Sequence, residues 1–347
     1  MKADGPRERP PARARLGRLA LIGAVALALA PGTFLRSSIG TRSDPAVVTT
    51  TPRPERAGLS GSLALTGVWE MTSTHGWFGG FSALVAGRGQ ALVAGTDRGF
   101  LLDLDLTGPA PRAVSRSFRF TGLYAGRRRE IVDLESLARD LATDTLWAGF
   151  EAANRIMRIA PDGKRWATAP AAMADWPVNS GAETMVRLGD GRFLVIAEGT
   201  EDGSDTRHEA LLFPGDPLGA RKPEVSHFVT EADYDPVDAT QLPDGRVLIL
   251  LRRVEYAVPA RFDTAIAIAD PRAIRAGATW QARVIERMTG GIFADNFEGI
   301  AFVPSADDPA QGSVWLVTDD NFSAFQRTLL IRFDWPSGSL PRPSPAP

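Results

Sequence analysis

The sequence predicts an all-β fold, and within that class a β-propeller, on three observations. Five segments of similar pattern recur along the chain, strand-length apolar runs follow each of them, and no stretch between them carries a long 3.6-residue period. The segments are Gly80-Phe-Ser-Ala-Leu-Val, Asp133-Leu-Glu-Ser-Leu-Ala, Gly181-Ala-Glu-Thr-Met-Val, Pro236-Val-Asp-Ala-Thr-Gln and Asn296-Phe-Glu-Gly-Ile-Ala. Their third positions, Ser82, Glu135, Glu183, Asp238 and Glu298, are spaced by 53, 48, 55 and 60 residues.

Each segment opens a unit as an inner strand. Second strands are expected at Ala91-Leu-Val-Ala, Leu146-Trp-Ala-Gly-Phe, Phe193-Leu-Val-Ile-Ala, Val247-Leu-Ile-Leu-Leu and Val314-Trp-Leu-Val-Thr, after turns such as Gly189-Asp-Gly and Pro243-Asp-Gly. Third strands are expected at Phe100 to Leu104, Arg155 to Ile159, Glu209 to Phe213, Thr264 to Ile268 and Thr328 to Ile331. Fourth strands are expected at Val114 to Phe118, Arg165 to Thr168, Val225 to Val229 and Gln281 to Ile285. Four short antiparallel strands in about 50 residues is the size of a propeller blade. The last unit has no fourth run after Phe333, and Leu65 to Met71, upstream of the first repeat, can supply it and close the ring. Counting repeats gives five blades. Six are possible if residues 63–335 are divided by about 45 per blade, with degenerate strands inside Gly122 to Val132. A large β-sandwich or irregular all-β fold is the remaining alternative.

Outside residues 63–335 the sequence changes character. Residues 1–18 hold six basic and two acidic side chains, and Leu19 to Ala30 is a short apolar run closed by Pro31-Gly32. That is the pattern of a secretory signal, shorter than the roughly 20 apolar residues of a spanning helix. Ala28-Leu29-Ala30 fits a cleavage site while Pro31 would obstruct it, so residues 1–30 read as a signal peptide or an N-terminal membrane anchor. With 3 Lys against 36 Arg, the composition resembles that of a GC-rich bacterium. The expected location is the periplasm, free or anchored in the inner membrane, with any membrane association through this segment only. Residues 31–62 read as a flexible linker, and 336–347, with five Pro, as a disordered tail.

Composition narrows the chemistry. The 347 residues carry 41 acids and 39 bases, a formal charge of −2, of which the leader contributes +4. No nucleic-acid partner is expected at that balance. Zero Cys excludes disulfides, thiolate metal sites and thiol catalysis, and three His exclude most imidazole metal sites. No G-x-S-x-G elbow, phosphate loop, dinucleotide fingerprint or zinc-protease helix occurs. Gly80-Phe-Ser82-Ala-Leu lacks the second glycine of the elbow.

In a propeller the inner strands line the channel, so equivalent positions form a ring. Four of the five third positions are acidic: Glu135, Glu183, Asp238 and Glu298. Carboxylates in such a ring repel one another unless something positive compensates. A hard cation such as Ca2+, which takes six to eight oxygens, is one answer, with Asp133, Asp295 and Asn296 adding oxygens. Caps on inner-strand amides and pairing with arginines are the other. A second ring comes from the ends of the second strands: Asp97-Arg98, Glu151, Glu198, Arg252-Arg253 and Asp319-Asp320-Asn321. Whether it shares a rim with the first depends on strand lengths. Arg98, Arg252 and Arg327 are candidates for binding an anionic substrate group, and surface salt bridges explain them equally. His75, just before the first inner strand, is a candidate base. Trp77, Phe78, Trp176, Phe293 and Phe322 are candidates to wall an organic substrate or to pack between blades.

These motifs carry a resemblance. Gly79-Gly80-Phe-Ser-Ala-Leu, Asp97-Arg-Gly, Asp133-Leu-Glu-Ser-Leu, Asn179-Ser-Gly-Ala-Glu, Asp295-Asn-Phe-Glu-Gly-Ile, and Thr318-Asp-Asp-Asn-Phe with Gln326-Arg-Thr-Leu-Leu resemble the phytase-like family, "esterase-like activity of phytase", over about residues 68–333. The resemblance implies a β-propeller related to calcium-dependent alkaline phytases, whose channel-mouth carboxylates hold Ca2+ against substrate phosphate. The residues carried over as metal ligands are Glu135, Glu183, Asp238, Glu298, Asp97 and Asp319. The family name joins two activities and does not choose between phosphate and carboxylic esters. The sequence reading is therefore a monomeric, exported, calcium-assisted phosphoester or ester hydrolase acting on a small molecule, with Glu183, Glu298 and His75 at the chemistry. A non-enzymatic periplasmic propeller that binds a ligand or metal is the alternative.

Overall fold

The structure, a computed structural model, describes residues 47–54, 59, 61–114, 119–120, 133–177, 181–257, 260–323 and 325–335. The expected signal or anchor, the tail and the Gly122 to Val132 segment lie outside the described residues. Among the described residues no helix is long and apolar enough to cross a membrane.

The strands form five sheets, one per repeat, as a five-bladed β-propeller. Blade one is Phe81–Ala86, Ala91–Thr96 and Phe100–Asp105, edged by Arg112–Ala113 and Arg119–Phe120. Blade two is Leu134–Asp140, Thr145–Phe150, Arg155–Ile159 and Arg165–Thr168. Blade three is Thr184–Arg187, Phe193–Thr200, Arg207–Phe213 and Glu224–Val229, and blade four is Asp235–Gln241, Val247–Glu255, Arg261–Ala269 and Arg283–Met288. Blade five is Asn296–Pro304, Gly312–Asp319 and Thr328–Trp335, completed by the upstream strand Ala64–Ser73. That closure is the one the missing fourth run required.

Three details differ from the sequence reading. Val48–Pro52, expected within the linker, is a strand that pairs with Ala64–Ser73. Its β-branched Val and Thr residues suit an extended edge, and Pro52 is tolerated there because an edge strand leaves its N–H side open. Blade one's outer strand comes as two short pieces flanking the expected Val114 to Phe118 run. Gln281 belongs not to blade four but to Thr279–Gln281, which pairs in parallel with the outer strand of blade three. Trp280 holds it there, its ring 4.5 Å from that of Phe228 and its Nε1 donating to Ser226 Oγ at 3.1 Å.

The core explains why the inner runs read as continuously apolar. Five buried clusters occupy the five spaces between neighbouring blades. Successive side chains of a strand point to opposite faces, so one strand feeds two cores. Leu92 and Ala94 pack with Trp315 and Val317 of blade five, whereas Val93 between them packs with Leu137 and Ala148 of blade two. Each large apolar side chain buried this way contributes about 1.5–3 kcal/mol.

Near the axis space runs out. Gly299, on the inner strand of blade five, has no room for a methyl group, because a Cβ would lie 2.8 Å from Leu84 Cβ and 2.9 Å from its backbone nitrogen. Gly299→Ala should therefore overpack the contact between blades five and one and lower unfolding free energy by about 1–3 kcal/mol in urea titrations. An unchanged midpoint would show that the inner strands can separate.

Candidate functional site

The site begins with a backbone irregularity. At the head of four inner strands the ladder skips one residue: Ser82, Glu135, Val237 and Glu298. In blade three Glu183 stands just before the first paired residue, Thr184. A bulge of this kind re-aims a side chain away from the ladder. It turns Glu135, Glu183 and Glu298 into one group at the channel mouth, where each carboxyl lies within electrostatic reach of another.

Asp238 is not among them. The pairing of Pro236 with Leu251 and Asp238 with Leu250 makes Val237 the skipped residue, so Asp238 matches Ser136 and Gly299 rather than the glutamates. Its Oδ1 accepts from Ala239 N and its Oδ2 from Ile300 N, both at 2.8 Å, which ties blade four to blade five. Ser136 does the same work two blades earlier, donating to Ala182 O and tying blade two to blade three. Asp238 is fully buried, and burial raises its pKa well above the ordinary range. The metal role expected for it does not survive this placement. Blade four instead contributes Asp235, which the one-residue misalignment hid: Asp235-Pro-Val matches Asp133-Leu-Glu.

The ends of the second strands reach the same rim. Asp97 N donates to Gly80 O at 2.8 Å, Glu151 N to Asp133 O at 2.9 Å and Glu198 N to Gly181 O at 3.0 Å, while Asp235 pairs with Arg252 and Asn296 with Asp319. The two rings expected from sequence are thus one. Oxygens of Asp133, Glu135 and Glu151 lie within 4.8 Å of one another, and so do oxygens of Glu151, Glu183 and Glu198. Burial, then neighbouring carboxylates, raises Glu135 well above the carboxylate range. Burial raises Glu183 in the same way, with Glu198 the next contributor, and Asp319, with Glu298 the next. Burial pushes Asp97, Glu151 and Asp235 each to about 7. Burial raises Asp133 as well, and the neighbouring Glu135 carboxyl offsets part of that rise.

The basic candidates divide. Arg252 lies inside the acid group, its Nη2 donating to Glu198 Oε1 at 2.6 Å and its Nη1 to Asn296 Oδ1 at 3.0 Å and to Glu298 Oε1. It is engaged with protein carboxylates, not presented to an anionic substrate. Arg327 pairs with Asp295 at 3.0 Å, so both stand apart from the mouth cluster. Arg98 sits beside Asp97 with its guanidinium carbon 3.2 Å from the centroid of Phe322 and 5.8 Å from that of Trp77. Phe322 is held at φ 50, a left-handed conformation rare for a bulky residue, by its own N–H to Asp320 Oδ1 at 3.0 Å.

His75 Nδ1 accepts from Trp77 N at 3.2 Å. A neutral ring then carries its proton on Nε2 and has no acceptor nitrogen to offer as a base. Ser82 is buried and donates to Leu134 O, which removes it as a nucleophile. Phe293 and Trp176 are core residues, and Phe78 packs edge-on against Phe81. His208, unremarkable in sequence, is fully buried with Nδ1 2.7 Å from Glu198 O, and burial lowers its pKa. It fixes the backbone that carries Glu198.

A protein-family model described as "Phytase-like: Esterase-like activity of phytase" matches residues 76–322. The chain belongs to the phytase-like family. No curated protein matches its sequence significantly. Solved structures similar to this phytase-like propeller include hydrazine synthase from Kuenenia stuttgartiensis, at 12% identity over 73% of this chain and 62% of that one, with a TM-score of 0.35. The chain thus spans less than two thirds of that protein. Others are the β-propeller domain of Myceliophteria thermophila Cps50 (Swd1), at 8% identity over 83% and 100% with a TM-score of 0.36, and the WD40 β-propeller domain of Doa1, at 9% over 80% and 98% with 0.38.

The donor set of the phytase-like mouth fits a hard cation. It is entirely oxygen, and its two carboxylate triads share Glu151. A carboxyl held at about 7 in the fold and near 4 in the unfolded chain favours the protonated folded state, so the fold loses stability as pH rises from about 4 to about 7. Chelator-treated protein should accordingly melt at a lower temperature at pH 8 than at pH 5, and added CaCl2 should raise the melt more at pH 8. A chelator-treated melt independent of pH would remove the strain ascribed to these acids. Asp238→Ala should also lower stability through its orphaned backbone donors, by about 2–4 kcal/mol at pH 5 and by less at pH 8, where the raised pKa of Asp238 already costs the wild type stability. Calcium binding should be unchanged in that variant, as measured by calorimetry.

Proposed function

We propose that this phytase-like propeller is an exported hydrolase of small phosphoesters, or of carboxylic esters, that works with Ca2+ at the carboxyl-lined mouth. The observation that carries the reading is the excess of acid. Asp97, Asp133, Glu135, Glu151, Glu183, Glu198, Asp235, Glu298 and Asp319 converge on one rim, where the neighbouring guanidiniums among the described residues are those of Arg252 and Arg98. Asp133, Glu135, Glu151, Glu183 and Glu198 would hold the cations. Bound Ca2+ supplies neutralisation of these charges and polarisation of a phosphoryl or acyl oxygen.

The chain's own residues do the rest. Asp97 and Asp235, poised near neutrality, can take a proton at a carboxylate oxygen and return it to a leaving group. Glu183 and Glu298 orient an attacking water. Arg98, backed by Phe322 and flanked by Trp77, is placed to hold an anionic substrate group while the rings cover its organic part. The basic leader followed by an apolar run supports export to the periplasm.

Hydrolysis of 4-nitrophenyl phosphate and 4-nitrophenyl acetate, with CaCl2 or with chelator, tests the proposal. Turnover should require calcium, and Glu183→Gln and Glu298→Gln should each lower kcat/KM by about 100-fold or more with melts retained. Undiminished turnover in both variants would overturn the assignment. Calcium binding with no hydrolysis across a broad ester panel would favour a ligand-binding propeller instead.

A further inference from the structure

The mouth is not five-fold in charge. At the second-strand end, four blades place an acid, Asp97, Glu151, Glu198 or Asp319, and blade four places Arg252. At the bulge, blade four again departs, with Val237 buried in the apolar core between blades four and five. A permanently charged group therefore stands where the repeat elsewhere supplies oxygen.

Its contacts are those of a bound cation. Arg252 reaches across to carboxylates of both neighbouring blades, Glu198 of blade three and Glu298 of blade five, and to the amide oxygen of Asn296. Behind it the Phe262 ring lies 6.0 Å from the guanidinium carbon. Glu198 is also one corner of the oxygen triad with Glu151 and Glu183. The guanidinium and a divalent ion thus contend for the same carboxylate, and two cations that close repel one another strongly in a buried site. On the opposite side, Asp133, Glu135 and Glu151 converge with no guanidinium hydrogen-bonded among them in the described contacts.

We propose that Arg252 is a built-in cation that fills one position of the mouth, sets the number of divalent ions the propeller takes, and confines them to the side of blades one to three. This rests on the cation-dependent reading above but concerns a separate quantity, the count of ions. The test is the calcium content of the full chain, measured by calorimetric titration with CaCl2 and by metal analysis after desalting. Arg252→Gln should bind one more Ca2+ per chain than the wild type, and Arg252→Lys, which keeps the charge, should bind the wild-type number. Arg252→Met, of similar length, replaces Arg252→Gln should that variant fail to fold in CaCl2.

A wild-type count of one or more that is unchanged in the neutral variant overturns the proposal and leaves the hydrolase reading intact. One ion on the neutral variant and none on the wild type upholds the proposal and removes calcium from the native mechanism. Ion-free wild type and variant together overturn both.

Discussion

Mutual repulsion among carboxylates at the axis of a closed ring is the constraint to which the rest of the molecule answers. Two ionised groups about 4 Å apart repel by about 4 kcal/mol at an effective dielectric near 20. Several such pairs meet here, since oxygens of two triads lie within 4.8 Å. The ring tolerates this because its cohesion lies elsewhere, in five apolar cores between blades and in the strand from Ala64 to Ser73 that closes blade five. A protein held together between its blades can afford strain along its axis. The strain appears as the raised pKa of Glu135, Glu183 and Asp319, from burial and then neighbouring carboxylates, and as the guanidinium of Arg252 placed among their neighbours.

The repeat was readable because each inner strand serves two cores and so keeps an unbroken apolar run with acids at its head. What the pattern could not fix was register. Aligning acid with acid put Asp238 beside Glu135 and Glu183, whereas the ladder skips Val237 and turns Asp238 onto the amides of Ala239 and Ile300. A one-residue slip moves a side chain to the other face, and a bulge is a local slip without a strong sequence mark. The same limit hid Asp235. Whether Glu151 and Glu198 shared a rim with Glu183 depended on strand lengths, which apolar runs give only approximately. Val48–Pro52 was missed because a Thr-rich, half-exposed edge strand has the composition of a linker.

Several residues near the mouth hold the frame. Asp320 accepts from Gly80 N and from Phe322 N, and from the Thr328 hydroxyl, so it latches blade five to blade one and sets the strained turn beneath Arg98. Asp295 does not join the mouth cluster because Arg327 claims it. Ser82, at the bulge of blade one, caps Leu134 O rather than standing as a nucleophile. Asp295 and Asp320 stood among the candidate oxygens in sequence, and both, like Ser82, are used by the fold to bring a neighbouring element into place.

Blade four shows how a symmetric scaffold acquires direction. If all five blades kept an acid at both the bulge and the second-strand end, the mouth would present equivalent oxygens around its whole circumference and no preferred side. Val237 and Arg252 remove two of those acids in adjacent positions, and Arg252 draws in Glu198 and Glu298 from either side. The charge left over is therefore concentrated around Asp133, Glu135 and Glu151 of blade two, with Asp97 of blade one next to them. Arg98, stacked on Phe322, stands at that same sector because it follows Asp97 in the chain. The asymmetry puts the excess acid and the stacked guanidinium on one side of the axis, the side on which the proposed hydrolysis of a substrate with one anionic end and one organic end would take place.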